Sequence, residues 1–419
     1  MFNTLPVPWT SVHRFLMLLP ALLATLPVQA IDWPQWRGPK RDGISTEKGL
    51  LSHVPPEGPP VLWMMRGIGK GYSSVSVAKG QIFTMGDGKE KSFVHALDAK
   101  DGKLQWSSAL GAPGGNYEGT RCTPTVDGDL VFALGQHGDL VCLQAASGTE
   151  MWRKSMVKDF GGKMMSGWGY SESPLVDGGQ VIVTPGGSNG TVVALNRQTG
   201  AVLWRSTNWT DRAAYSSVIV TEIGGVRQYI QITDANVAGL AAKDGSVLWK
   251  AKRKGSTAVI PTPIYKSNHV LVSSGYGVGC NLFKITSGPA GFAAEEVYAN
   301  KDLANHHGGM ILVGDHVYAH SDSKGWVCME FMTGKVAWSN PGVGKGAVVC
   351  ADGKLFTRKE EKQGTVALVD ASPEGYNERG RFAQPERSTK NSWAHPVVAN
   401  GRLYLRDQEV LLCYDVMEK

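Results

Sequence analysis

Nine residues scattered along the chain carry side chains suited to holding a small molecule: Tyr72, Arg121, Trp168, Glu172, Tyr215, His307, Lys345, Trp393 and His395. They stand in short phrases that read Tyr72-Ser-Ser, Arg121-Cys-Thr, Trp168-Gly-Tyr-Ser-Glu172, Tyr215-Ser-Ser, Ile260-Pro-Thr, Asn305-His-His307, Lys345-Gly and Trp393-Ala-His395. Gathered in one place, such aromatic, basic and imidazole groups with a single carboxylate make the mixed lining of a small-molecule site. Taken singly, each is equally a polar strand end facing water. His306 and His307 could ligate a metal, but neighbours on a strand face opposite ways, so a hydrogen-bonding role is expected and no metal site is assigned. Glu172 could hold calcium or act as a base, yet calcium takes six or more oxygens and one acid supplies few of them. No G-x-x-x-x-G-K phrase supports nucleotide hydrolysis. Asn208-Trp-Thr210 fits a glycosylation acceptor only by accident, and no catalytic residue is assigned.

Something must bring these residues together, and a repeated phrase does so. It reads ALDAKDGKLQW from Ala96 to Trp106, CLQAASGTEMW from Cys142 to Trp152, and ALNRQTGAVLW from Ala194 to Trp204. GLAAKDGSVLW (Gly239 to Trp249) and CMEFMTGKVAW (Cys328 to Trp338) continue it. A strand runs into a turn whose glycine supplies a positive φ, and a second strand carries a Trp able to wedge between neighbouring sheets. Successive Trp residues are 46, 52, 45 and 89 positions apart, so a degenerate copy lies in the last gap, with Tyr298 at the Trp place. A further copy ends at Phe382. A period in the forties built from four short strands predicts a β-propeller.

The two ends of the chain complete the count. LLCYDVMEK has the first half of the phrase, and PPVLWMM, with Trp63, has the second. An N-terminal outer strand finishing the last sheet leaves no free edge. The expected fold is all-β: an eight-bladed propeller with outer-strand residues Trp63, Trp106, Trp152, Trp204, Trp249, Tyr298, Trp338 and Phe382. Residues beginning the innermost strands would then line the central channel, which places the nine candidates in one funnel. Cys142, Cys328 and Cys413 fall in the small slot held elsewhere by Ala96, Ala194 and Gly239. These three fall in blades two, six and eight, none adjacent, and Cys122, Cys280 and Cys350 fall in separate blades, two, five and seven, so six free thiols are expected.

Residues 1–30 have the layout of a secretory signal: Arg14, an apolar run from Phe15 to Leu26, and a small-x-small end at Val28 and Ala30. The run is short for a bilayer span, so no transmembrane segment is expected. The organisation is thus a signal (1–30), an N-terminal arm (31–60) and the propeller (61–419), periplasmic or secreted after cleavage near Ala30. The net charge of +6 is thin and its longest basic run is Lys252-Arg253-Lys254, which argues against nucleic-acid binding. A monomer is expected.

The phrases resemble the repeats of pyrroloquinoline-quinone-like (PQQ-like) propellers, a family of dehydrogenases and of outer-membrane-assembly scaffolds. Asp32-Trp-Pro-Gln-Trp-Arg-Gly-Pro39 and Arg41-Asp-Gly43 are similar to the opening of an exported group labelled polyvinyl-alcohol-dehydrogenase-like. The likeness spans Asp32 to Val416. It implies the fold, and for the dehydrogenases it implies pyrroloquinoline quinone, calcium held by Glu and Asn, an Asp base, and a vicinal Cys-Cys or equivalent stacking cover. This chain has no adjacent cysteines and no C-x-x-C-H haem attachment. Trp168 could stack on a planar ring and Glu172 could touch an ion. The favoured expectation is a non-catalytic binding platform or scaffold, without cofactor, for a protein partner or small molecule. The alternative is a quinoprotein alcohol or sugar dehydrogenase.

Overall fold

The computed structural model describes residues 1–8, 31–117, 119–361 and 363–419. Arg14, Phe15 to Leu26, Val28 and Ala30, on which the expectation of a secretory signal rests, lie outside them. Residues 31–419 form one unit, and its described residues contain strands and turns but no helix.

Eight antiparallel sheets follow one another along the chain as blades: 76–111, 125–155, 175–205, 219–252, 264–300, 310–340, 346–382 and 397–415. The eighth is completed by Val61–Arg66, which pairs antiparallel with Val410–Asp415 and sets Trp63 opposite Cys413. Ring closure through the N-terminal strand follows the sequence reading.

The repeated phrase explains why neighbouring blades adhere. Each Trp faces the small slot across its own strand pair: Trp106 opposite Ala96, Trp152 opposite Cys142, Trp204 opposite Ala194, Trp249 opposite Gly239 and Trp338 opposite Cys328. A Cβ on Gly239 would lie 2.2 Å from the Trp249 indole nitrogen, so this slot admits nothing bulky. The indole then reaches into the next blade. Trp63, Trp106, Trp152, Trp204 and Trp338 donate Nε1–H to the carbonyls of Ala99, Ala145, Arg197, Ala242 and Ser372, at 2.8–3.3 Å. Tyr298 does the same with its hydroxyl, to the Phe331 carbonyl at 2.8 Å. Trp249 is the exception, donating within its own blade to Gln228. Phe382 lies in the outer strand of blade 7 but pairs with Val366, and its ring packs 5.2 Å from Tyr414 of blade 8. The six cysteines are free and buried.

Residues 33–45 do not hang beside the ring as an arm. They cross the channel and touch every blade. Trp33 bridges Val77 of blade 1, and the Pro34 carbonyl accepts from Val126 N–H of blade 2. Arg41 donates to the Ser173, Pro174 and Val218 carbonyls on the approaches to blades 3 and 4. Trp36 Nε1–H donates to Thr262 Oγ1 before blade 5 at 2.9 Å. Arg37 donates to the Met310 carbonyl of blade 6, and Ile44–Ser45 adds a parallel strand to blade 7. The Trp36 ring rests 4.5 Å from that of His395, before blade 8. Sharp turns make this crossing possible: Arg37 and Arg41 hold φ of 60° and 57°, a conformation uncommon for such side chains. Gly43, at φ 77°, has no room for a Cβ, which would meet Ile311 at 2.6 Å.

Candidate functional site

The candidate residues precede the innermost strands rather than beginning them: Tyr72 comes before Ser76–Ala78, Arg121 before Thr125–Asp127, and Trp393 before Val397–Ala399. These approach segments converge above the crossing chain on a cavity of about 150 Å³. Seven of the nine line it: Tyr72, Arg121, Trp168, Tyr215, His307, Trp393 and His395. They come from the approaches to blades 1, 2, 3, 4, 6 and 8. Trp36 and His395 make the floor, and Tyr117 and Tyr276, 42% and 50% exposed, stand at the mouth.

Two aromatic pairs form its walls. Tyr72 and Trp393 lie 4.4 Å apart between ring centroids, and Trp168 and Tyr215 stack at 5.8 Å. Tyr117 presents its edge to both tryptophans, at 5.7 Å from Trp168 and 5.4 Å from Trp393. Arg121 is tied by Nη1 to the Trp168 carbonyl and by Nη2 to the Tyr117 carbonyl, each at 2.7 Å. Burial lowers its pKa, while the nearby Tyr72 and Tyr215 act the other way.

On the blade 6 side, His306 and His307 both line the cavity, with ring centroids 5.0 Å apart. The alternation expected of a strand does not apply, because both precede the strand Met310–Val313. His307 Nε2 lies 2.6 Å from Glu360 Oε2, which also accepts from Trp393 Nε1–H at 2.9 Å. Burial pushes the Glu360 carboxyl up, but His307, Lys345 and Trp393 together hold it down at about 2. The carboxylate is therefore ionised, and His307 presents an N–H to it. His307 Nδ1 is buried without a partner among the described residues. Burial, with His307 and Lys345 alongside, depresses His306 to about 3, so that ring is neutral and its Nδ1 meets Lys345 Nζ at 2.6 Å.

Two expected residues stand elsewhere. Lys345 lies behind the wall, where it pairs with Asp322 at 2.8 Å. Glu172 is 1% exposed below the cavity. Its Oε2 accepts from Thr184 N–H at 2.7 Å and its Oε1 from the Thr184 hydroxyl at 2.8 Å. Ser171, beside Glu172 on the approach to Leu175–Asp177, takes the place on the cavity lining. Burial raises the Glu172 pKa to about 7, against the hydrogen bonds from Thr184 and the charge of Arg41.

That donor set does not fit a calcium-loaded quinone. The carboxylate expected to hold the ion has both oxygens engaged away from the cavity, and among the described residues no cluster of three metal-ligating side chains exists. Lining oxygens come from tyrosine and serine hydroxyls.

Fold and site define a closed propeller of PQQ-like repeats with a blind, aromatic-walled pocket in its channel. The family profile described as outer membrane protein assembly factor BamB matches residues 90–340, more than half of the chain. The protein belongs to this PQQ-like repeat family. It is 23% identical over 201 residues to the outer membrane protein assembly factor BamB of Moranella endobia (strain PCIT), a match covering 45% of each chain. The chain thus spans about half the length of the curated relatives it matches. Among solved structures, BamB from Moraxella catarrhalis superposes with a TM-score of 0.60 at 16% identity, over 85% of this chain and 97% of that one. Quinohemoprotein alcohol dehydrogenase from Comamonas testosteroni gives 0.64 at 12% identity, over 93% and 81%. Those two likenesses establish the fold. The narrower polyvinyl-alcohol-dehydrogenase-like grouping finds no support in these matches.

Trp36, Tyr117, Tyr276, Glu360 and Asp322 were not reached from the sequence. Trp36 had a signal in the Trp-Pro-Gln-Trp-Arg-Gly phrase, which lies outside the repeats. The others sit on connections within or before blades, where no repeat register fixes them.

Proposed function

We propose that the protein is a non-catalytic binding platform of the cell envelope, exported with its leader removed near Ala30 and acting as a monomer. Its ring surfaces engage protein partners in the assembly of outer-membrane proteins, as the description of its relatives indicates for them. Its channel pocket seats a small molecule, with Tyr72, Arg121, Trp168, Tyr215, His307, Trp393 and His395 as contacts. The observation that carries the non-catalytic reading is Glu172, whose two oxygens are consumed by Thr184 beneath the floor. A quinone enzyme needs an ion and a base at the reacting ring, and this carboxylate offers neither. Family membership supports the scaffold part of the reading.

The test is a dye-coupled oxidation assay with alcohols and sugars, run on protein incubated with pyrroloquinoline quinone and calcium. The expected result is no turnover and no thermal shift. A quinone-dependent rate that Trp168→Ala abolishes would make the protein an oxidoreductase instead.

A further inference from the structure

The reading of the pocket as a ligand seat leaves the ligand's chemistry open, and the pocket's size and charge narrow it. An apolar cavity of roughly 150 Å³ is the size that receives a benzene ring, and this cavity measures about 150 Å³. Its walls are aromatic faces, against which a flat or chair-shaped ring packs well. One six-membered ring fits this volume.

Arg121 supplies the polar requirement. Its guanidinium has five N–H donors, of which one on each terminal nitrogen goes to the Trp168 and Tyr117 carbonyls. Among the described residues, the other three donors have no partner. No carboxylate among the described residues forms an ion pair with it. Asp87 acts on it only from a distance, and the Asp87 oxygens accept from Ser92 Oγ, Gln136 Nε2 and Gly114 N–H. The other charges around the cavity are matched, Lys345 by Asp322 and Glu360 by His307 and Trp393. A half-buried guanidinium held by two backbone carbonyls, with donors spare, is built for a planar two-oxygen acceptor, and a bidentate carboxylate matches that fork.

We propose that the channel pocket binds a ligand with one six-membered ring bearing a carboxylate, the ring seated between the Trp168–Tyr215 and Tyr72–Trp393 pairs and the carboxylate on Arg121. A sugar acid and an aromatic acid share this chemistry. Titration of the mature protein with D-glucuronate and benzoate, each beside its neutral counterpart (glucose and benzamide), separates the two sources. Tryptophan fluorescence and calorimetry are the readouts.

At least one acid binds, and its neutral counterpart binds at least tenfold more weakly. Arg121→Gln erases that preference, whereas Arg121→Lys retains part of it. Added salt weakens the acid and spares the neutral ring. Equal binding of acid and neutral ring overturns the carboxylate assignment, as does a preference that survives Arg121→Gln. Failure of both acids to bind at millimolar concentration overturns the ligand class itself. The platform reading is decided separately, by quinone-dependent turnover.

Discussion

Trp36 lies with its ring 4.5 Å from that of His395, so a residue near the start of the unit 31–419 and one near its end form the floor of the same pocket. The crossing segment is therefore both a structural clasp and a part of the site. Without it the channel would run through the ring, and the aromatic walls would enclose an open pore.

The Arg41 guanidinium anchors this crossing. It is 3% exposed and satisfies the carbonyls of Ser173, Pro174 and Val218, with Glu172 close enough to act on its charge. Arg41→Ala leaves three buried carbonyls without their donor, and at about 1–3 kcal/mol for each unsatisfied group a loss of about 3–5 kcal/mol is expected. Arg41→Lys recovers little of it, since an ammonium cannot reproduce the fork. Chemical denaturation measures both variants; a loss below about 1 kcal/mol for Arg41→Ala would show that the clasp is held elsewhere.

Glu172 gives a pH signature. Its folded pKa of about 7 stands above the 4.5 of a free glutamate side chain, so between those limits the folded state binds the extra proton. This contribution is fully present below pH 4.5 and is lost as pH rises through 7. Glu172→Gln cannot ionise and escapes the loss. The variant's unfolding free energy relative to the parent is expected to rise by about 3 kcal/mol from pH 4.5 to pH 8. A constant difference across that range would contradict the burial of an ionising Glu172.

How much of this was legible in the sequence depends on what repeats. The blade count, the Trp wedge and the cysteine slots were legible because each blade restates one phrase, so register in one predicts register in the next. Seven pocket residues were legible because each stands on the approach to an innermost strand, a place the repeat marks in its blade. Glu172 departs from the expectation because it stands before the strand Leu175–Asp177, where no strand period fixes which neighbour faces the channel, and Ser171 lines the cavity instead. Phe382 sits off the Trp register because blade 7 has a longer turn than the others. Trp36, Arg37 and Arg41 belong to a segment without a second copy, and nothing local says that it crosses the ring.

Trp204 tests the wedge. It is 8% exposed, sits opposite Ala194, and donates Nε1–H both to the Gln180 side chain and to the Ala242 carbonyl of the next blade. Trp204→Ala removes a large core aromatic and is expected to cost about 3–5 kcal/mol. Trp204→Phe keeps most of the packing and loses the two hydrogen bonds, so a smaller cost is expected. A loss under about 1 kcal/mol for the alanine variant would place this ring outside the seam.

The six cysteines are free and buried, and burial raises their pKa, Cys328 to about 11 and Cys122, Cys142, Cys280, Cys350 and Cys413 to about 12. Thiolate, the reactive form, is scarce at pH 8 on both counts. A thiol reagent is expected to count six groups in the denatured, unreduced protein and close to none in the native one. A count of four after denaturation would mean a disulfide and a different packing of at least two blades.

Closure and clasp occupy one stretch of chain, and two truncations separate them. A chain starting at residue 46 lacks the crossing but keeps Val61–Arg66, whose Trp63 faces Cys413 and donates to the Ala99 carbonyl of blade 1. It should fold with eight blades at a lower melting temperature, with the cavity floor missing. A chain starting at residue 67 also exposes the edge of Val410–Asp415, an unpaired strand that recruits other chains. Aggregation, or a further large fall in melting temperature, is expected for this second form. Light scattering and calorimetry compare them directly. If the shorter chain stays monomeric and melts with the longer one, the N-terminal strand does not close the ring.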